Sequence, residues 1–119
     1  FEISVIPENL KITADEKLIE QVLINLVKNS LSALETRQNK SLILKSFIDN
    51  KARKLIQICD NGEGIIPDVL EKIFIPFFST KQNGTGIGLS LSRQIMRQHG
   101  GSITVFSEPE KQTIFTLSF

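Results

Sequence analysis

Residues 84–101 read GTGIGLSLSRQIMRQHGG, and Gly84, Gly86 and Gly88 come just before Leu89, Leu91, Ile95 and Met96, which recur at helical spacing. A glycine costs a helix about 1 kcal/mol relative to alanine, so three at a helix entrance ask for a backbone that must approach something closely. A glycine loop running into a helix N-terminus presents unpaired N–H groups and the positive end of the helix dipole, a setting that suits phosphate. Ordinary loops share this composition, and two familiar nucleotide fingerprints do not fit. No G-x-x-x-x-G-K-[ST] occurs, and the glycines follow IPFFSTKQNG rather than a strand. In and beside that segment, Phe74, Phe77 and Phe78 are expected as core anchors of the loop. Lys81 is a solvated side chain or, in a phosphate site, a mobile point charge.

Outward from this stretch, the helix stops at Gly100 and Gly101, and SITVFS and QTIFTLSF, separated by EPEK, read as a terminal hairpin. His99, just before the two glycines, reads as a cap or surface residue favoured by the helix dipole. Upstream, Asp15 caps a helix from Glu16 to about Leu34, in which Leu18, Ile19, Val22, Leu23, Leu26, Val27, Ser30 and Leu34 recur at three-to-four spacing. SLILKSFID and KLIQICD flank the polar NKAR as an antiparallel pair, and Pro67 opens a short helix through DVLEKIF. At the start of the chain, FEISVI and LKIT alternate on either side of Pro7 and read as a short hairpin. Strands and helices in this order predict an α+β fold, a two-layer α/β sandwich with three helices on one face of a mainly antiparallel sheet.

A length of 119 residues predicts one domain, residues 1–119, with one core. Fourteen Lys and Arg against thirteen Asp and Glu leave a net charge of +1, which gives no electrostatic case for nucleic acid or for an anionic membrane surface. The single Cys59, in the apolar run LIQICD, cannot form an internal disulfide and is expected as a buried small hydrophobe in a reducing cytoplasm. The chain opens on a strand-like run without an initiator Met, as a fragment of a longer protein would.

Two further places could carry chemistry. On the long helix Asn25 and Asn29 are four apart and share a face, with Gln21 a turn earlier. Beside an opening, their amide oxygens could hold a hard cation such as Mg²⁺; on a solvated face they would hold nothing. In CDNGEGI a carboxylate, Asp60, ends a buried strand and could accept from an exocyclic amine, while Gly62 and Gly64 would let backbone approach a flat ring. The alternative is a plain D-N-G turn.

Taken in order, NLVKN, DNGEGI, FIPFF and GTGIGL resemble the N, G1, F and G2 boxes of the catalytic and ATP-binding domain of sensor histidine kinases, in the GHKL superfamily. The resemblance covers essentially the whole chain and implies the Bergerat fold, with a sheet of about five strands and an ATP lid loop. It implies ATP as substrate and Mg²⁺ as cofactor, with Asn29 the metal ligand, Asn25 near the phosphates and Lys81 reaching the γ-phosphate from the lid. Asp60 would read the adenine amino group, helped by Gly62, Gly64 and, through water, Thr113. Gly86, Gly88 and Leu89 would give N–H groups to the β-phosphate, and Ile65, Gly84, Thr85 and Ile87 complete the implied nucleotide-binding set. The sequence departs from the family pattern at Ser32, often basic in these kinases, and at Gln112, often glycine.

The implied activity is transfer of the ATP γ-phosphoryl to a histidine on a separate dimerisation domain of a parent kinase, with a response regulator downstream. His99, the sole histidine, is not that acceptor. Neither nucleic acid nor membrane contact by this domain is expected, and the setting is cytoplasmic. The competing readings are a GHKL-type ATPase that drives conformational change and an anti-sigma-type Ser/Thr kinase. The ATPase branches place a general-base Glu where this chain has Asn25, and an amide cannot take a proton from water.

Overall fold

The computed structural model describes residues 1–79 and 86–119. Its elements run β1 (Glu2–Val5), α1 (Glu16–Leu34), β2 (Leu42–Ile48), β3 (Lys54–Asp60), α2 (Pro67–Leu70), α3 (Gly88–Gln98), β4 (Ser102–Glu108) and β5 (Gln112–Ser118). The strands form one sheet in the order β1-β2-β3-β5-β4, antiparallel except for β1 beside β2. The α+β sandwich expected from the sequence is the observed architecture. Strand β5 shows the layering: Thr113, Phe115 and Leu117 are buried while Ile114 and Thr116 between them are only half-buried, the period-2 alternation of a sheet packed on one face. Ile19, Val22 and Leu26 of α1 meet Ile58, Phe115 and Leu117 of the sheet and Met96 of α3 in the core. Cys59 falls on the opposite face of β3 from Ile58 and is half-buried rather than enclosed.

The N-terminal hairpin does not form. Only Glu2–Val5 is a strand, and it pairs in parallel with β2, Glu2 opposite Ile43 and Val5 opposite Ser46. A strand followed by a crossover helix lies parallel to the next strand of its sheet, so α1 decides the partner and the LKIT stretch is left without one. The alternation there buries Ile12 and Ala14 against the core instead.

Helix α1 begins where Asp15 Oδ1 accepts the Leu18 N–H at 3.1 Å, and its buried stripe is Ile19, Val22, Leu26, Ser30 and Leu34. Helix α3 buries Ser92, Ile95 and Met96 and ends with the Gly100 N–H on Arg97 O and the Gly101 N–H on Met96 O, the paired bonds of a Schellman cap. His99 does more than cap. Its Nδ1 lies 2.8 Å from Ile95 O and its Nε2 accepts the Asp15 N–H at 3.0 Å, so one neutral imidazole joins the end of α3 to the start of α1. His99→Ala deletes both bonds and should cost about 1–2 kcal/mol, lowering the thermal midpoint by roughly 4–10 °C. Nucleotide affinity should stay unchanged below the transition, because neither helix end lines the pocket described next. A midpoint equal to the parent's would show that the tie contributes nothing.

Candidate nucleotide-binding site

A pocket of about 500 Å³ opens between the C-terminal half of α1, the loop after β3, α2 and the first turn of α3, a size usual for a small-molecule site. Helix α1 gives it Asn29, Ser32 and Ala33; the loop gives Glu63, Gly64 and Ile65; α3 gives Gly88 and Leu89. Val69, Ile73, Phe78 and Phe115 form apolar walls, and Asp60 and Thr113 sit within.

Asp60 is the last residue of β3, and the alternation that turns Ile58 into the core turns Asp60 the same way, leaving it 4% exposed. Burial raises its carboxyl pKa above the usual range, opposed by the Gly62 N–H, which donates to Oδ1 at 2.9 Å, and by the nearby Ser30 hydroxyl. That hydroxyl is itself buried and makes no well-formed hydrogen bond. Asp60 stands opposite Thr113 in the β3–β5 register, which brings a carboxylate and a hydroxyl side by side. The loop after Asp60 is held from several directions. Asn61 accepts the Ser41 N–H at 2.7 Å and donates to Asn39 O at 2.6 Å, so the asparagine of the D-N-G motif is structural. Gly62 lies against Ala33, where a β-carbon would come within 2.8 Å of the alanine's own. Gly64 has φ +71°, and a β-carbon there would meet Glu108 O at 2.4 Å, so no other residue fits this close approach.

Ser107 is a participant that the motifs did not single out. Its Oγ accepts the Ile65 N–H at 2.8 Å, donates to Gln112 O at 3.0 Å and lies 3.0 Å from Thr113 Oγ1. One hydroxyl has a single proton, so Thr113 donates to Ser107 and keeps its acceptor lone pairs for the pocket. A polar residue at an inward position of β4, after Ile103 and Val105, is the signal that could have found it.

The asparagines separate. Asn29 lines the pocket, whereas the Asn25 amide donates to Gly88 O and Ser92 Oγ, both at 3.3 Å, and braces α1 against the first turn of α3. Gly86 is required by the chain itself: with φ +72°, a β-carbon would lie 2.4 Å from the Phe77 backbone, and the Phe77 N–H donates to Gly86 O at 2.8 Å. This glycine is needed for the chain's own close approach. Ile87 is the N-cap of α3 and is exposed. Of the three phenylalanines, Phe78 joins the pocket wall and Phe74 lies under the Arg93 guanidinium at 5.3 Å. Phe77 is not an anchor. Its φ of +68° turns the side chain out to 80% exposure. Lys81, Gly84 and Thr85 lie outside the described residues.

The profile of the family Histidine kinase-, DNA gyrase B-, and HSP90-like ATPase matches residues 14–119, and the chain belongs to that family. Within it the chain matches the catalytic, ATP-binding domains of sensor histidine kinases. It is 42% identical over 111 residues to the sensor histidine kinase ZraS of Salmonella typhimurium, a match that covers 92% of this chain and 23% of that protein. The chain therefore spans about a quarter of this relative's length. The catalytic domain of histidine kinase ThkA superposes with a TM-score of 0.84 at 34% identity, covering 99% of this chain and 76% of that one. Full-length ShkA in complex with AMPPNP gives 0.81 at 25% identity over 98% of this chain and 25% of that one. Among the described residues no helix is long and apolar enough to cross a membrane.

Proposed function

We propose that this chain binds Mg²⁺–ATP in the α1–α3 pocket and presents the γ-phosphoryl to a histidine on a separate dimerisation domain of its parent kinase, from which the phosphate passes to a response regulator. The observation that carries this is the convergence of Asn29, Asp60, Thr113 and the first turn of α3 on one pocket. In this reading the Asp60 carboxylate accepts from the adenine 6-amino group, Thr113 accepts from a bridging water, and Ile65 and the apolar walls hold the ring. The N–H groups of Gly88 and Leu89, at the positive end of α3, meet the β-phosphate together with Gly86. Lys81 serves the γ-phosphate. ShkA, which superposes on this chain, was solved in complex with the ATP analogue AMPPNP, which supports a nucleotide ligand here.

The donor set fits Mg²⁺. Among the described residues no group of three His, Cys, Asp or Glu could cage a metal, and Mg²⁺ in nucleotide sites rests on phosphates and waters with one or two protein oxygens. Asn29, which lines the pocket, would give such an oxygen, and the ion would supply neutralisation of phosphate charge during transfer. The partner's imidazole nitrogen attacks the γ-phosphorus in line as the bond to the bridging oxygen breaks and ADP departs. Direct attack needs no water-activating base, and α1 offers none. Among the described residues lining the pocket, α1 contributes only Asn29, Ser32 and Ala33, and Asn25 is committed as a donor to α3.

Titration calorimetry tests the binding half. ADP with Mg²⁺ should bind with micromolar or weaker affinity, since association costs the nucleotide its translational and rotational freedom. No heat and no thermal shift at millimolar nucleotide would sink the proposal.

A further inference from the structure

We propose that Arg37 is a positioning residue for base selection, fixing the loop after β3 so that Asp60 meets an adenine amine and rejects a 6-oxo purine. The proposal rests on the reading of Asp60 given above. Arg37 lies three residues beyond α1, and its Nη2 donates to Gly62 O at 3.0 Å and to Glu110 Oε2 at 3.2 Å. Gly62 is thereby clamped on both sides, its N–H on the Asp60 carboxylate and its carbonyl on the guanidinium. Glu110, at the pocket rim, completes the clasp with its own N–H on Glu63 O at 2.6 Å.

Stability alone does not account for the arrangement. The Glu110 side chain is 79% exposed, and an ion pair with so open a partner contributes little. Arg37 Nε is buried without an acceptor, which costs free energy. Glu110 follows Pro109 in the turn closed by the Lys111 N–H on Glu108 O, and has φ +64°. That position normally takes glycine or asparagine. A strained glutamate and a half-satisfied arginine are explained if their joint product is the orientation of Gly62. Without Arg37 the loop keeps the Glu63 N–H on Ala33 O and the Glu110 N–H on Glu63 O, so the chain should still fold while the clamp on Gly62 loosens.

The test is the ratio of ADP to IDP affinity, measured by calorimetry on the full chain as wild type, Arg37→Ala, Arg37→Lys and Asp60→Asn, with melting curves to verify folding. IDP puts a carbonyl where ADP has the amine, opposite Asp60. Wild type should favour ADP by at least about tenfold. Arg37→Ala should cut that ratio by about threefold or more, and Arg37→Lys, whose ammonium ends a bond short of the Nη2 position that makes both contacts, should fall between. A merely structural arginine would weaken both nucleotides by the same factor, and that result, or an unchanged ratio, overturns the proposal. If Arg37→Ala does not fold, Arg37→Lys carries the same test, a ratio equal to wild type being the overturning result. If Asp60→Asn collapses the ratio and the Arg37 variants do not, only the role of Arg37 falls. If Asp60→Asn leaves the ratio unchanged, the reading of Asp60 fails and takes this proposal with it.

Discussion

Asp60→Asn should lose at least about a hundredfold in ADP affinity while folding as well as the parent or better. The carboxylate is a pure acceptor facing the pocket; the amide puts an NH₂ donor where the adenine amine is also a donor. The lost hydrogen bond to a charged group is worth about 1.5–3 kcal/mol and the donor–donor contact adds to it. Folding moves the other way, because burial holds the Asp60 carboxyl above its usual pKa. An asparagine Oδ1 can still accept the Gly62 N–H, and its amide can donate to the buried Ser30 hydroxyl, which has no well-formed partner. Calorimetry and thermal melts read the two quantities separately. ADP affinity equal to the parent's would remove Asp60 from the base site.

The same shift sets a pH dependence with opposite signs for binding and stability. A carboxyl raised by burial is ionised at a cost that is fully present above its folded pKa, shrinks as pH falls through it and is gone below the unfolded value. Acidification therefore relieves the fold at Asp60. It also converts an acceptor into a donor, so ADP affinity should fall at a higher pH than the titration of an ordinary aspartate would give. Asp60→Asn should remove both effects.

Helices α1 and α3 and the β4–β5 hairpin were legible because their signals are local: a three-to-four apolar repeat with a capping Asp15, and period-2 runs separated by EPEK. The partner of β1 was not, since nothing within FEISVI says that a strand forty residues on will lie beside it. The α1 crossover decides that. At the site, the ordered motifs pointed to Asn29, Asp60, Gly64, Gly88 and Leu89, and all five line one pocket. The resemblance set Asn29 at the metal and Asn25 near the phosphates; helical spacing puts both on one face, and only the position of α3 makes Asn25 a brace. Ser107 and Arg37 escaped notice for the same reason. Their meaning comes from sheet register and from a turn more than seventy residues away from Arg37, neither of which a sequence window contains.

Asn29→Ala should abolish phosphoryl transfer to a histidine-bearing dimerisation domain, by at least about a hundredfold, yet change metal-free ADP affinity by no more than about threefold. The separation follows from where the residue sits. Asn29 is one of three α1 residues lining the pocket, and in the proposed reading its amide oxygen serves the metal while the Asp60 end holds the base. Losing one protein oxygen weakens the hold on the ion during a transfer that depends on charge neutralisation and in-line positioning. ADP without metal makes no use of that oxygen. Two measurements decide the matter: ADP affinity with and without Mg²⁺, and acid-labile phosphate appearing on the partner domain from ATP. Equal Mg²⁺ enhancement of ADP binding in variant and parent would move the metal role elsewhere. Run on the unaltered chain alone, the same assay separates kinase from ATPase. Asn25 offers no base, its amide being bound to Gly88 O and Ser92 Oγ, so ATP should persist until the histidine arrives. Rapid phosphate release without a partner would instead favour the ATPase branch of the family.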